Sequence, residues 1–356
     1  MPDTRCDALD ILACPIDGTA VVQHGEEIVC ARGHRFPVVQ GVPVMLRDDV
    51  SHTIGIAGKS LEMARAWAEG RRDDPMFVDT LGVTEGEREQ VRAQIAAGEA
   101  TVDPVVSHLV AATNGMLYEG LRGRLDRIPI PSLRLPIGNG ERLLDIGCNW
   151  GRWSLAAAEK GYRPVGIEPS LGAVLAARRL ARQRGLAIET VVADARFLPI
   201  RTASVGAAFS YSVLQHFSKA DARRAFQQIA RAVRPGGLIR IQMASAIGVR
   251  SFQHMARRGF REPEAFDVRY WTPSALIAEF RRLCRDGRLE VDCYFGLGLQ
   301  PTDRSLYGRL GKAVLDASEA LRKASRVVTP LTYVADSLYL VGHNDGVAEA
   351  GEAQSA

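Results

Sequence analysis

The residues best placed for chemistry fall between positions 143 and 217. The stretch LLDIGCNWGRWS (143–154) is an apolar run ending in Asp145. Gly147 and Gly151 follow with Asn149 between them, and then a helix starts. A dinucleotide loop wants G-x-G-x-x-G/A, where the second glycine admits a pyrophosphate and the third seats helix on strand. Here those two positions are Asn149 and Arg152, and the Lys-Ser/Thr pair of a P-loop is missing. Phosphate is therefore disfavoured. A carboxylate at a strand end suits a cationic ligand, and two glycines let backbone pass close to it. Glu168 ends the next apolar run, where an acid accepts hydrogen bonds from both hydroxyls of a ribose. Asp194, in VVADAR, is placed to accept from an adenine amine, and the backbone N–H of Ala195 can reach a ring nitrogen. A sugar, an adenine and a positive centre without phosphate describe S-adenosylmethionine.

At these residues the sequence resembles the class I S-adenosylmethionine-dependent methyltransferases. DIGCNWG is similar to their first motif, with Asn149 where glycine is commoner. GIEPS, ADARFLPI, FSYSVLQHFS and RAVRPGGLIRIQM are similar to the next four, in order. The resemblance covers about residues 141–244. It implies a bound S-adenosylmethionine held by Asp145, Gly147, Asn149, Gly151, Glu168, Asp194, Ala195 and Ser210.

These residues need a scaffold, and the chain supplies its pattern. From Glu141 apolar strands alternate with helices ended by glycine, which predicts a mostly parallel sheet with helices on both faces. Ligands in such sheets lie at the carboxyl ends of the strands. Ser218 and Asp221 form a capping pair for a helix whose inner face is Phe226, Ile229, Ala230 and Val233. RPGG (234–237) reads as a turn before the fifth strand, LIRIQM. The family architecture implies a sixth strand over 289–296 and a seventh over 336–343. The expected fold class is α/β: a Rossmann-like seven-stranded sheet plus a small, β-rich, zinc-ribbon-like N-terminal domain. The expected division is 1–50 for that domain, 51–138 for a helical linker or cap, and 139–345 for the methyltransferase domain. Insertions at 245–271 and 301–335 commonly cap the substrate site in this family. A polar tail, 346–356, reads as disordered.

The N-terminal part carries a second constellation. Cys14 and Asp17, then Cys30 and His34, flank two strand-like runs around a His-Gly turn. Ligand pairs on turns at either end of a hairpin build a zinc ribbon. The stretch resembles the ribbon of some ribosomal-RNA guanine methyltransferases. It also resembles tRNA-methyltransferase activator proteins, which share the LDILACP opening and GVPVML ending. Asp17 stands where those ribbons carry a second cysteine, and a hard carboxylate is a weaker zinc ligand than a thiolate. The two readings are a structural zinc on Cys14, Asp17, Cys30 and His34, or a metal-free remnant held by its apolar residues.

For the methyl acceptor, His216 lies just past the fourth strand and is the candidate base; its alternative is a structural role at the next helix start. Tyr211 and Gln215 are candidate pocket residues, and Tyr118 a core or interface tyrosine. Ser210-Tyr211-Ser212-Val213 replaces the Asn/Asp-Pro-Pro-aromatic tetrapeptide of base-amine methylation, and no cysteine is there for carbon-5 chemistry. What remains is O-methylation of a small molecule, lipid or glycan. The alternatives are an RNA methyltransferase that docks RNA through the ribbon, and a non-catalytic cofactor-binding partner. A net charge of +4 without a dense basic stripe counts against RNA. No apolar run reaches 18 residues, no signal peptide is apparent, and six scattered cysteines fit a reducing compartment, so the expected location is cytoplasmic.

Overall fold

The computed structural model describes residues 6–98, 102–113, 116–122, 125, 127–264, 266–296, 298 and 300–346. The polar tail beyond 346 lies outside them. Four short strands come first: β1 (Val21–His24), β2 (Glu27–Cys30), β3 (Arg35–Val39) and β4 (Val42–Pro43). They form an antiparallel sheet in that order. Three helices follow, α1 (Gly55–Ala68), α2 (Glu85–Ala97) and α3 (Pro104–Thr113). A full capping box starts α2, with Thr84 and Glu87 bonding each other's backbone.

The larger unit alternates strand and helix. Its elements are β5 (Arg142–Ile146), α4 (Arg152–Glu159), β6 (Arg163–Glu168), α5 (Leu171–Gln183), β7 (Glu189–Val192), β8 (Val205–Ser210), α6 (Lys219–Ala232) and β9 (Val233–Ala244). Then come α7 (Val249–Arg257), α8 (Pro273–Phe280), β10 (Arg288–Cys293), α9 (Arg309–Ala324), α10 (Pro330–Tyr333) and β11 (Ser337–His343). The seven strands run β10-β11-β9-β8-β5-β6-β7 across the sheet. All neighbours are parallel except β11, which is antiparallel to both β9 and β10. This is the expected Rossmann-like sheet, with its sixth and seventh strands at the expected positions.

Period-two alternation sends successive side chains to opposite faces. On β5, Leu144 and Ile146 join a core shared with α6 and α8. Leu143 joins another, with Trp153, Ala156 and Ala157 of α4. Both faces are dry, so the strands carry near-continuous apolar runs. Helix α6 buries Ala222, Ala225, Phe226, Ile229 and Ala230, and the Ser218 hydroxyl accepts from Asp221 N at its start.

One local expectation differs. RPGG does not stand before β9 but inside it. Val205 pairs with Val233 and Ala207 with Leu238, so the extra residues bulge out while pairing resumes on both sides. Gly236, at φ +74°, provides the left-handed turn that the bulge needs.

The N-terminal strands are sewn to the main sheet. Val44 bridges Val192 of β7 in parallel, and Met45 N–H donates to the Val192 carbonyl at 2.8 Å. Leu12 bridges Ile200 antiparallel, and Arg201 N–H donates to the Ile11 carbonyl at 2.8 Å. Ile11, Leu12, Ile28, Phe36 and Val38 share one core with Leu198 and Ile200. Among the described residues, no helix is long and apolar enough to cross a membrane.

Candidate active site and candidate metal centre

Strand order reverses at β5, which has β6 on one side and β8 on the other. The carboxyl ends of these strands and the loops that follow them carry most of the residues that the sequence singles out. Asp145 is buried near the end of β5, and its Oδ2 accepts from Ser154 Oγ on α4 at 2.6 Å. Burial without a cationic partner pushes its pKa up to about 7. Glu168 ends β6. Its Oε2 accepts from Asn149 N–H at 3.2 Å and its Oε1 from Ser170 N–H at 3.1 Å. Burial raises it too, to about 7.

The connecting loop has the shape that its residue types allow. Gly147, Asn149 and Gly151 all have positive φ, +74°, +46° and +84°. Asparagine tolerates that region better than most residues, and its Oδ1 accepts from Trp150 N–H at 2.9 Å, closing the turn. A Cβ on Gly147 would come within 2.1 Å of the Val213 side chain, and one on Gly151 within 2.8 Å of Ala177 Cβ. At both positions protein already occupies the space of a side chain, so packing as well as φ requires glycine.

Two predicted residues are engaged with protein groups. Asp194 takes Arg196 Nε at 3.1 Å on each oxygen, Arg196 Nη2 at 2.7 Å on Oδ2 and Arg196 N–H at 2.8 Å on Oδ1. An adenine amine would have to use the lone-pair capacity left by this fork. Ala195 follows at the start of a single 3₁₀ turn, 195–197. Ser210 is fully buried at the end of β8 and donates to the Ile146 carbonyl at 3.1 Å, tying β8 to β5.

His216 sits in the 3₁₀ turn 214–216 after β8. Its ring stacks on Phe266 at 4.5 Å between centroids, so the segment after α7 covers it. Burial holds its pKa below the usual value, against the opposing pull of Asp267. The ring is therefore neutral near pH 7 and able to accept a proton. Its buried Nδ1 and the buried Oε1 of Gln215 have no hydrogen-bond partner among the described residues.

Two groups of polar residues carry no sequence signal. Tyr211 OH donates to Asp292 Oδ2 at 2.8 Å, Ser337 Oγ donates to the same oxygen at 2.8 Å, and Gln242 links Ser337 to the Ser212 N–H. This buried chain crosses the ends of β8, β9, β11 and β10. Beside it, Arg152 on α4 reaches both Tyr118 OH, at 3.2 Å, and the Asp303 carboxylate, which also accepts from Tyr118. Asp303 belongs to the 301–335 insertion. Partners 151 and 185 residues apart form no local pattern, which is why only the bare tyrosines could be singled out.

The N-terminal constellation is brought together. His34 Nδ1 lies 3.5 Å from Cys14 Sγ, 3.2 Å from Cys30 Sγ and 3.2 Å from Asp17 Oδ2. Cys30 Sγ lies 3.7 Å from the same oxygen. A tetrahedral zinc with ordinary bond lengths has ligand–ligand edges of about 3.3–3.8 Å. Four of the six edges between the donors are of about this size, and all four donor atoms lie within 4.8 Å of one another, so they could hold such an ion. The surroundings fit as well. Thr19 donates its N–H and hydroxyl to Asp17 Oδ1, leaving Oδ2 for the cluster, and His34 N–H donates to Cys30 Sγ.

Comparison with known proteins agrees with the geometry. The sequence model of the methyltransferase domain family matches residues 143–237. This region is a methyltransferase domain of the S-adenosylmethionine-dependent kind. Over 100 residues the chain is 34% identical to the malonyl-[acyl-carrier protein] O-methyltransferase of Serratia marcescens, covering 28% of this chain and 37% of that protein. It is 33% identical over 100 residues to the mouse tRNA (carboxymethyluridine(34)-5-O)-methyltransferase ALKBH8, 28% of this chain and 14% of that one. It is 27% identical over 172 residues to the ubiquinone biosynthesis O-methyltransferase of Rhizobium johnstonii, 47% of this chain and 62% of that one. The chain thus matches less than two thirds of the length of each of these relatives.

Proposed function

We propose that the protein transfers a methyl group from S-adenosylmethionine to an oxygen of a small molecule, lipid or glycan. On this reading residues 139–345 form the catalytic domain, 51–138 a helical cap, and 1–50 a zinc ribbon with a structural ion. The observation that carries it is the half-buried, neutral His216 just past the carboxyl end of β8, with Phe266 of the covering segment stacked on its ring. When bound, S-adenosylmethionine supplies an electrophilic methyl on a sulfonium. Glu168 accepts from the ribose hydroxyls. Gly147 and Gly151 let the backbone approach, and Asn149 shapes the turn. Asp194, with the lone pairs that Arg196 leaves free, and the Ala195 N–H would meet the adenine, and Ser210 ties β8 to β5 beneath them. Asp145 offers the cation a carboxylate across the Ser154 bridge. His216 would take the acceptor's hydroxyl proton, while the bound donor would supply the methyl group to that oxygen and keep the bonding electron pair on its sulfur. Two relatives in hand are named as O-methyltransferases, which supports oxygen as the acceptor atom.

The test is transfer of labelled methyl into fractionated cell extract, with Asp145→Ala as the control without cofactor. Label is expected in a lipid, glycan or small-molecule fraction. His216→Ala should then lower kcat about 10²–10⁴-fold with cofactor affinity unchanged. A kcat within a factor of two of the native value would remove His216 as the base. A second reading, an RNA acceptor, draws on the ribbon and on the tRNA methyltransferase relative. Label confined to RNA would establish it and displace the first.

A further inference from the structure

Exposed large apolar side chains are concentrated in two places. Among the described residues, all but two of the twelve lie in the insertions 245–271 and 301–335. The first insertion exposes Val249 (67%), Phe252 (56%) and Phe260 (60%), with the two phenyl rings 5.5 Å apart edge to face. Soluble proteins scatter such residues singly, and a cluster marks an interaction surface. The second insertion exposes Val327, Val328, Tyr333 and Val334.

The two patches belong together. The Asp336 carboxylate accepts from Ser251 N–H at the start of α7, at 2.9 Å, and from Phe295 N–H, at 2.6 Å. A Cβ on Gly248 would strike Asp336 at 2.3 Å. The start of α7 and the end of the second insertion are therefore locked against each other. The same first insertion supplies Phe266, which stacks on His216. The apolar patches thus adjoin the candidate site.

Charge decides among occupants. Residues 245–271 carry five arginines against three acids, with Arg258 paired to Asp267, and 301–335 carry six basic residues against three acids, so both insertions are net positive. Arg257 and Arg261 point to solvent beside the exposed phenylalanines. Phenylalanine and valine on one face, interleaved with arginine, match a helix lying in the headgroup layer of an anionic bilayer. We infer that α7 and the end of the 301–335 insertion form a docking face for an anionic lipid bilayer, through which the acceptor reaches His216 from the membrane. This rests on the lipid branch of the proposed function and narrows it.

The experiment is flotation of the full chain with vesicles, without methyl donor, so that binding is read apart from activity. Phosphatidylcholine vesicles are compared with phosphatidylcholine–phosphatidylglycerol vesicles. The native protein should float with the anionic vesicles and be released by salt. Phe252→Ser/Phe260→Ser should bind about tenfold or more weakly, and both side chains are exposed enough for the fold to survive. Unchanged S-adenosylmethionine affinity in the double variant checks that survival. The inference is overturned if the native protein floats with neither vesicle, or if the double variant floats as the native protein does. It is equally overturned if the patch instead binds an acidic carrier protein and ignores vesicles. Any of these alongside labelled transfer to a soluble acceptor leaves the proposed function standing.

Discussion

Asp145 and Glu168 lie near the carboxyl ends of the neighbouring strands β5 and β6 and share one property: burial lifts both to about 7. An acid whose pKa is raised by folding holds a proton that the unfolded chain has released. Between about pH 4 and 7 the folded state therefore binds more protons, and these two groups cost it stability as pH rises through that window. A ligand that presents ribose hydroxyls and a cation favours both ionised forms, so binding expels the protons. Affinity for S-adenosylmethionine should rise with pH up to about 7 and level off above it. Calorimetry at pH 6 in buffers of different ionisation heat should detect proton release that vanishes by about pH 8. Equal heats in all buffers at pH 6 would mean that neither carboxyl meets the cofactor. The place of these two acids near strand ends was legible in the sequence. The Arg196 fork on Asp194 was not, because a side chain two residues away can turn towards a carboxylate or away from it at no cost visible in sequence.

The elements of the catalytic region were legible because two periods, 2 and 3.6, alternate there between clear stops. Glycine ended the expected helices, and Thr272 followed by Pro273 is a start signal of the kind that opens α8, with the Thr272 side chain accepting from Ala275 N–H. What escaped was the continuation of β9 through RPGG, since turn-forming residues look alike in a turn and in a bulge. In the ribbon, the pairing of turns was legible but the fit of Asp17 was not, as it depends on Thr19 holding one oxygen away. That fit makes a prediction. Purified native protein should carry one zinc, and Cys30→Ser should lose it and melt several degrees lower, as about 1 kcal/mol shifts a domain of this size by a few degrees. Asp17→Cys should keep the metal and hold it more tightly against a chelator, because thiolate is the softer ligand. Native protein without zinc, by elemental analysis, would leave the ribbon held by its apolar core alone.

At the scale of the molecule, the ribbon and the sheet depend on each other. Without the N-terminal strands, β7 would end the seven-stranded sheet as an open edge, and open apolar edges recruit other chains. Val191 and Val192 are fully buried, and the Val192 carbonyl is taken by Met45 N–H. The cover also reaches below the edge: Leu12 lies against Ile200, and Arg142 at the start of β5 holds Asp10 through two bonds of 2.7 and 2.8 Å. Contacts so spread out bind the ribbon into the core of the larger unit, so it does not hang from it as a tethered module. Deleting residues 1–50 should therefore expose that edge along with the Leu198–Ile200 surface, giving a chain that aggregates on expression or elutes as large species by size exclusion. Placing a proline at Met45, which removes the one N–H that caps Val192, tests the same idea more gently. Its melting temperature should fall by several degrees, the scale of a lost buried hydrogen bond with its acceptor left unpaired, about 1–3 kcal/mol. A truncated chain that stays monomeric and binds S-adenosylmethionine as the full chain does would show instead that the sheet needs no cover.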